Sequence, residues 1–171
     1  MSLRVNLAGL LKDNVGAVRN FDYQGVWEAD GLPQGHVAAE FKLTRTSRGV
    51  WVFGPARVTY DADCGRCLTP FTSWARLQVD EEYLPSVDVQ SGRRVSYGAE
   101  DDGAFLIDAH HETDLAEALR QNRLAAMPIA PVCRDDCAGL CPACGANANE
   151  GACACEPEAD PRWAALKELF A

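Results

Sequence analysis

The stretch ARVTYDADCGRC (56–67) combines two patterns that decide the fold. In its first eight residues, small or apolar side chains alternate with polar ones, so one face of an extended chain would carry Ala56, Val58, Tyr60 and Ala62. Alternation with this period is typical of a β-strand with one buried and one solvated face. The last four residues form a C-x-x-C turn, which presents two sulfurs to one metal ion. The stretch therefore predicts a strand that ends in a metal-binding turn.

The strand pattern continues on both sides of this stretch. Apolar residues recur at every second position in VAAEFKLT (37–44) and FTSWARLQVDEEY (71–83), and VWVF (50–53) resumes the pattern after a turn. A further short strand is expected at AFLI (104–107). Consecutive strands joined by short turns pair antiparallel, so the sequence predicts a meander with one solvated face.

Three other segments carry weaker signals. NLAGLLKD (6–13) fits a short strand or a helical turn. Residues 84–103 lose periodicity, which predicts a long, mobile loop or insertion. Within it, RRVSY (93–97) is a candidate edge strand.

Two helices are expected after the sheet. In the first, Asp114 is the predicted N-cap, Glu117 completes a capping box, and Pro128 ends the helix. Its inward stripe would consist of Leu115, Ala118, Leu119, Asn122 and Ala126. The second is DPRWAALKELF (160–170), which opens on a cap residue followed by proline.

Together these elements predict an α+β fold: an antiparallel β-sheet meander with one or two packed helices and a Cys-rich, zinc-binding tail. Residues 1–128 are expected to form the sheet core with one helix. Residues 129–171 are expected to form the metal-binding tail and the C-terminal helix, packed on the core as a single unit. A length of 171 residues fits one domain with a small appended lobe.

The charge balance is acidic, with 25 Asp and Glu against 16 Lys and Arg and a formal net charge of −9. This balance argues against a broad electrostatic footprint on nucleic acid, which needs clustered cations. The chain has no run of about 18 apolar residues that would span a membrane, and its first residues lack a signal-peptide layout. We therefore expect a cytoplasmic protein without membrane association.

Six of the eight cysteines lie in CRDDCAGLCPACGANANEGACAC (133–155), and the other two form the CGRC turn. Cytoplasmic thiols are kept reduced, so closely spaced cysteines there indicate metal binding before disulfide or redox chemistry. Zinc is the expected metal; iron is the alternative, since four thiolates also hold iron and iron–sulfur clusters. The candidate ligands are Cys64, Cys67, Cys133, Cys137, Cys141, Cys144, Cys153 and Cys155.

Two zinc ions need two sets of four sulfurs, and two partitions are open. In the first, one site is Cys64, Cys67, Cys133 and Cys137, and the other is Cys141, Cys144, Cys153 and Cys155. In the second, one ion is held by Cys133, Cys137, Cys141 and Cys144, and the CGRC pair joins Cys153 and Cys155. The first is favoured because the tail then needs only short closures. A single-metal protein with free thiols is a third possibility.

No enzymatic signature accompanies these sites. Four sulfurs close a zinc site, whereas catalytic zinc keeps one position for water. The sequence has no G-x-S-x-G, Walker loop or G-x-G-x-x-G motif. His36, His110 and His111 have no spacing that pairs them with a carboxylate or cysteine, and are expected at the surface. We expect no catalytic residues and no enzymatic activity.

The order of these motifs resembles the YceD family, the large ribosomal RNA subunit accumulation proteins. The resemblance rests on CGRCL after a strand, on C-x-G-L-C-P-x-C-G-x-N-x-N (137–149) and on the closing D-P-R-x-x-x-L (160–166), and it extends from about residue 20. In that family the first cysteine pair is widespread and the dense tail cluster occurs in some members, which supports the first partition. Family genes often neighbour one for a large-subunit ribosomal protein. The resemblance implies a role in ribosome assembly and no enzymatic activity.

We therefore expect a zinc-binding factor with a ribosomal protein or pre-ribosomal particle as partner. The acidic charge favours a basic ribosomal protein. The alternatives are a thiol-based redox or metal sensor and a zinc-stabilised protein-interaction adaptor. Direct RNA contact is a weaker hypothesis; it would use Arg45, Arg48, Arg93 and Arg94 with Trp51, Phe53 and Tyr97, although strand aromatics such as those of VWVF are more often core.

Overall fold

A computed structural model describes residues 3–151 and 153–155 of the chain. The predicted helix at 160–170 lies outside the described residues. In chain order, the elements are β1 (Arg4–Asn6), α1 (Ala8–Lys12), β2 (Val18–Trp27), β3 (Gly35–Arg45), β4 (Val50–Asp63), β5 (Pro70–Pro85), a 3-10 helix (Ala99–Asp101), β6 (Phe105–Ile107), β7 (Glu112–Asp114) and α2 (Ala116–Ala126).

The described strands form two sheets. The larger has the order β2-β3-β4-β5-β6, and the smaller pairs β1 with β7 antiparallel. Strands β2 and β4 both pair antiparallel with β3, but β6 pairs parallel with β5. The α+β class fits, whereas the prediction of a purely antiparallel sheet is wrong at β6. The connection of residues 86–104 is long enough to bring the chain back in the same direction, which a tight hairpin cannot do.

The core of the larger sheet follows the predicted alternation. In β3, the buried side chains are those of Val37, Ala39, Phe41 and Leu43, as predicted. In β4 the period continues through Val50, Val52, Ala56, Val58 and Tyr60, and in β5 through Ala75, Leu77 and Val79. This continuous apolar face excludes water and so stabilises the sheet.

Strand β2 has no clear signal in the sequence. Its register runs from Val18 opposite Thr44 to Trp27 opposite Gly35, so it pairs with all of β3 except Arg45. Its inward side chains are only half-buried, apart from Trp27. Residues 6–13, the ambiguous segment, form the end of β1 and the short helix α1.

The start of helix α2 differs from the prediction. Asp114 is the last residue of β7, where it pairs with Arg4, so Leu115 and not Asp114 is the N-cap. The Asp114 carboxylate still accepts a hydrogen bond from the Ala116 N–H at 2.9 Å. The capping-box pattern assigned Asp114 to the helix, but pairing of β7 with β1 keeps this residue in the strand. The helix ends before Pro128, as predicted.

The inward stripe of α2 contains a charged residue that the sequence did not reveal. Leu115, Ala118 and Leu119 are buried as predicted, but the fully buried position in the last turn is Arg123. Its guanidinium lies 4.3 Å from the ring centroid of Tyr60 and 5.4 Å from that of Trp27, and it donates to the Pro33 carbonyl at 2.9 Å. Burial lowers the pKa of Arg123. Cation–π contacts offset part of this desolvation.

Residues 86–104 carry local hydrogen bonds and one short helical turn. The Asp88 carboxylate accepts hydrogen bonds from the backbone and hydroxyl of Ser91, at 2.7 and 2.6 Å, and the Tyr97 hydroxyl donates to the Pro85 carbonyl at 2.7 Å. The candidate edge strand at 93–97 is wrong, because this segment makes only a single bridge, between Val87 and Arg94. Backbone hydrogen bonds within turns, such as that from the Gly92 N–H to the Asp88 carbonyl at 2.9 Å, join these side-chain bonds in place of a strand ladder.

Gly49 marks a close approach between the turn before β4 and the last part of β5. A Cβ atom on Gly49 would overlap the carbonyl oxygen of Tyr83 and lie 3.0 Å from its carbonyl carbon. We therefore expect Gly49→Ala to lower the free energy of unfolding by about 1–3 kcal/mol, as overpacking does. Urea denaturation measures this, with the neighbouring exposed Ser47→Ala as control. Equal stability of the two variants would show that the strands can move apart freely.

The described chain divides into two compact units. The sheet unit comprises the described residues up to Ala62 and Phe71–Ile129, and the cysteine unit comprises Asp63–Pro70 and the described residues from 130 to 155. The predicted boundary at residue 128 and the packing of the tail on the core stay predictions. Within the described ranges, no helix has the length and apolar character needed to cross a membrane.

Candidate metal centre

The CGRC turn is built by backbone hydrogen bonds immediately after β4. The Cys64 N–H donates to the Thr69 carbonyl at 3.0 Å, and the Leu68 N–H donates to the Cys64 carbonyl at 2.9 Å. Leu68 has a φ of 58°, the left-handed conformation that closes the turn. The backbone thereby fixes the positions of Cys64 and Cys67.

Arg66, inside the turn, binds the first part of the tail. Its guanidinium donates to the carbonyls of Asp135 at 3.1 Å and of Cys137 at 3.2 Å. The Gly65 N–H also donates to the Pro131 carbonyl, at 2.7 Å. These bonds hold the Cys133–Cys137 segment against the turn without using any sulfur.

The first cluster consists of Cys64, Cys67, Cys133 and Cys137, whose sulfurs all lie within 4.8 Å of one another. The Sγ atoms of Cys64 and Cys137 are 3.8 Å apart, as are those of Cys67 and Cys133. A tetrahedron with metal–sulfur distances of ~2.3 Å has edges of about 3.8 Å. A disulfide needs about 2.05 Å. The four sulfurs therefore fit a tetrahedral metal ion, and all four cysteines are free.

Hydrogen bonds to sulfur favour the thiolate that a metal needs. The backbone N–H groups of Arg66 and Cys133 each lie 3.4 Å from Cys64 Sγ. Backbone hydrogen bonds, that of Cys67 first, lower the pKa of Cys64 to about 6, and the Thr69 hydroxyl lowers the pKa of Cys67. Burial instead raises the pKa of Cys133 to about 12. Because a metal binds thiolates, binding at this cluster would release the protons that its thiols carry.

The second cluster consists of Cys141, Cys144, Cys153 and Cys155, with the same limit of 4.8 Å between sulfurs. Its first half is a tight turn in which the Cys141 N–H donates to Ala146 at 2.8 Å and the Gly145 N–H donates to Cys141 at 2.9 Å. Gly145 has a φ of 72°, as expected for a residue after a C-x-x-C turn. Backbone hydrogen bonds, that of Cys144 first, lower the pKa of Cys141 to about 6.

Asn149 connects the neighbourhoods of the two clusters. Its side-chain oxygen accepts from the Ala138 N–H at 2.9 Å and from the Arg134 guanidinium at 2.7 Å, and its amide nitrogen lies 3.4 Å from Cys137 Sγ. Asn149 is the last residue of the motif at 137–149, and Arg66 lies in CGRC. Neither motif predicted which groups these two side chains contact. The contacts depend on segments that are distant in the chain.

The two clusters differ in exposure. In the first, Cys64, Cys67 and Cys137 are buried. In the second, no cysteine is buried, and Cys144, Cys153 and Cys155 are exposed. Solvent and small reagents reach the second set of sulfurs more readily than the first.

The structure forms the first of the two predicted partitions. Cys133 and Cys137 join the CGRC turn, so the second partition, which placed them with Cys141 and Cys144, is wrong. In the described part of the chain no histidine belongs to either cluster. Each cluster offers four sulfurs, which is the ligand set of a closed site. Each cluster can hold a metal ion. That each of them does bind one stays a prediction.

We expect Arg66→Met to loosen the first cluster while leaving its four sulfurs in place. Two backbone carbonyls lose a charged donor, and hydrogen bonds of this kind contribute about 1.5–3 kcal/mol each. Competition with a chromogenic chelator should show weaker metal binding at one site per chain. Arg76→Met, which removes an exposed arginine of the sheet unit, is the control. Unchanged binding in Arg66→Met would mean that the sulfurs alone position the segment.

The fold and the site define an α+β protein with a β-sheet unit and two four-cysteine clusters. A family model described as "Large ribosomal RNA subunit accumulation protein YceD" matches residues 52–170. The chain therefore belongs to the YceD family, and the resemblance seen in the sequence is confirmed.

Similar proteins occur in mycobacteria. The chain is 29% identical over 133 residues to uncharacterized proteins of Mycobacterium tuberculosis and Mycobacterium bovis, and 26% identical over 132 residues to one of Mycobacterium leprae. Each match covers 77% of this chain but only 60%, 60% and 58% of the relatives, respectively, so the chain spans about three fifths of their length. No solved structure matches the chain.

Proposed function

We propose that this chain is a non-enzymatic, zinc-binding factor that supports the accumulation of large-subunit ribosomal RNA, and thereby ribosome assembly, in the cytoplasm. The match of the YceD family model to residues 52–170 carries this proposal, because it spans the CGRC turn and all six tail cysteines. Membership of the family suggests a role in large-subunit RNA accumulation.

The chemistry of the clusters supports a structural metal. Four sulfurs per ion leave no position at which the ion would bind water or a substrate. Zinc is the proposed ion, since a tetrahedral four-cysteine set is its common structural site. Each ion would contribute to folding, because the ligands come from segments that only the folded chain brings together.

The charge of the chain supports a protein partner. A net charge of −9 repels the phosphate backbone and attracts a basic protein. A ribosomal protein, free or within a pre-ribosomal particle, is the partner that combines this charge with the suggested role. The chain would associate with it before or during assembly of the large subunit.

Depletion of the protein tests the proposed role. Cells lacking it should show a lower ratio of large-subunit to small-subunit ribosomal RNA, and the intact chain should restore it. A variant with both Cys64 and Cys67 changed to serine should fail to restore the ratio. An unchanged ratio after complete depletion would contradict the role, and full rescue by the double variant would show that the first cluster is dispensable.

A second candidate function, a thiol-based redox or metal sensor, is favoured by the exposure of Cys144, Cys153 and Cys155. Hydrogen peroxide would oxidise two thiolates to a disulfide and would itself be reduced to water. The metal would then be released, because it has lost two of its ligands. Metal release at peroxide doses that leave the sheet folded supports this candidate. Retention of metal until the whole fold is lost contradicts it, and leaves the third possibility, a zinc-stabilised interaction adaptor.

A further inference from the structure

The outer face of the larger sheet carries exposed aromatic side chains. Trp51 and Phe53 are each 39% exposed and Trp74 is 54% exposed, whereas Val50 and Val52 are completely buried. The expectation that the aromatics of VWVF belong to the core is therefore wrong, because the strand register turns the two valines inward. Large exposed aromatics in one sheet face are typical of a surface that binds a partner.

Two of these aromatics form a pair beside a carboxylate. The ring centroids of Trp51 and Phe53 are 5.3 Å apart at an interplanar angle of 43°. The Trp51 indole N–H donates to the Asp80 carboxylate at 2.7 Å. Lys42 is the residue opposite Phe53 on β3. The pair is thus partly exposed and lies next to a carboxylate that the indole hydrogen bond holds in place.

A shallow groove of about 710 Å³ crosses the same sheet face. Its lining includes two arginines, Arg57 and Arg76, as well as two carboxylates. The two carboxylates are those of Asp22 on β2 and Glu40 on β3, which lie directly opposite each other. Like charges in this position repel each other, and neither carboxylate has a salt bridge to any residue in the described ranges. Neither arginine of the groove forms a salt bridge with this pair in the part of the chain that the structure describes, so a cationic group of a partner would relieve the repulsion.

The charges of the outer face favour a cationic partner over RNA. Five carboxylates, those of Asp22, Glu40, Asp61, Asp80 and Glu82, outnumber three cations, those of Lys42, Arg57 and Arg76. Arg57 already lies 4.9 Å from the ring centroid of Trp74, so the surface accommodates a guanidinium on an indole.

The arginines that the sequence offered for RNA contact are partly engaged elsewhere. The Arg45 guanidinium donates to the carbonyls of Leu11 at 3.2 Å and Gly49 at 2.9 Å, and Arg48 is paired with Asp101. A phosphate backbone would therefore meet a surface with excess negative charge.

We propose that the aromatic–acidic face, defined by Trp51, Phe53, Asp22, Glu40 and Asp80, binds an extended Lys/Arg-rich segment of a basic protein. The aromatic pair accepts a guanidinium or ammonium by cation–π contact, and the groove carboxylates pair with the next cation along the segment. This inference rests on the proposed function, since it identifies the surface that would receive a basic partner.

The test uses the full chain and a fluorescent peptide of alternating arginine and glycine, measured by anisotropy at physiological salt. Trp51→Ser should weaken binding about fivefold, in line with the loss of a cation–π contact. A variant with Asp22→Asn and Glu40→Gln should weaken it at least as much. Glu100→Gln, an exposed charge change outside the face, is the matched control and should bind as the parent does.

Three results would overturn the inference. The first is that the parent chain does not bind the peptide. The second is that the peptide binds all variants equally, which indicates general attraction to an acidic protein. The third is that a single-stranded oligouridine binds in place of the peptide and loses affinity in Trp51→Ser, which indicates a base-stacking platform.

A parallel measurement separates this inference from the proposed function. Co-sedimentation of the parent chain with large-subunit particles that persists in Trp51→Ser contradicts the inference and supports the function. Absence of RNA loss after depletion contradicts the function, whereas the peptide measurement still tests the surface by itself.

Discussion

Replacing Cys64 with serine is expected to abolish metal binding at the first cluster and to unfold the part of the cysteine unit around it, residues 63–70 and 130–140. Cys64 is fully buried, and its sulfur accepts the N–H groups of both Arg66 and Cys133. Structural zinc supplies about 10–16 kcal/mol to the folding of zinc-finger peptides, which exceeds the net stability of most small units. Loss of one ligand should therefore leave this unit without sufficient folding energy.

Metal analysis and amide hydrogen exchange measure the result. We expect Cys64→Ser to lose at least one metal per chain and to lose exchange protection at residues 63–70 and 130–140, while the strands of the sheet unit stay protected. Cys144→Ser is the matched control, because it removes a ligand of the exposed second cluster. It should lose one metal and retain protection around the CGRC turn. Full protection in Cys64→Ser would show that the unit folds without its metal.

A strong chelator is expected to remove the metal in two phases, one ion per chain in each. The faster phase belongs to the second cluster, because three of its four cysteines are exposed and a chelator reaches their sulfurs directly. The slower phase is the release of the ion from the first cluster. Cys64, Cys67 and Cys137 are buried, so the cysteine unit must open before a chelator reaches this ion. Protection of the sheet unit should outlast both phases.

The assignment of the two phases is checked with a cysteine-reactive probe and mass spectrometry. Cys144, Cys153 and Cys155 should be labelled during the fast phase and Cys64 only in the slow one. A single phase with simultaneous labelling would mean that the two clusters open together. Loss of exchange protection in β3 and β4 during either phase would mean that the sheet unit depends on the metal.

Local patterns in the sequence predict those features that depend on neighbouring residues. The period of two in β3 and β4 is confirmed because each strand has one buried face. The end of α2 before Pro128 is confirmed because proline excludes the helical conformation of the preceding residue. The grouping of Cys141 and Cys144 with Cys153 and Cys155 follows from short closures along the tail.

Several features that depend on distant residues were missed, although the grouping of Cys64 and Cys67 with Cys133 and Cys137 was predicted. The parallel direction of β6 depends on the course of residues 86–104, a segment of turns without hydrophobic periodicity. The burial of Arg123 on helix α2 depends on Trp27 of β2 and Tyr60 of β4. Arg66 contacts carbonyls about 70 positions along the chain, at Asp135 and Cys137. The spacing of residues along the sequence does not predict such contacts.

The metal content of the purified chain tests the central claim most directly. The protein should be prepared without added metal or chelator and analysed by inductively coupled plasma mass spectrometry, with protein concentration taken from amino-acid analysis. Two zinc ions per chain are expected, one for each four-cysteine cluster. A purified chain that contains no metal, or whose cysteines form disulfides, would contradict the claim, and iron in place of zinc would contradict the proposed ion.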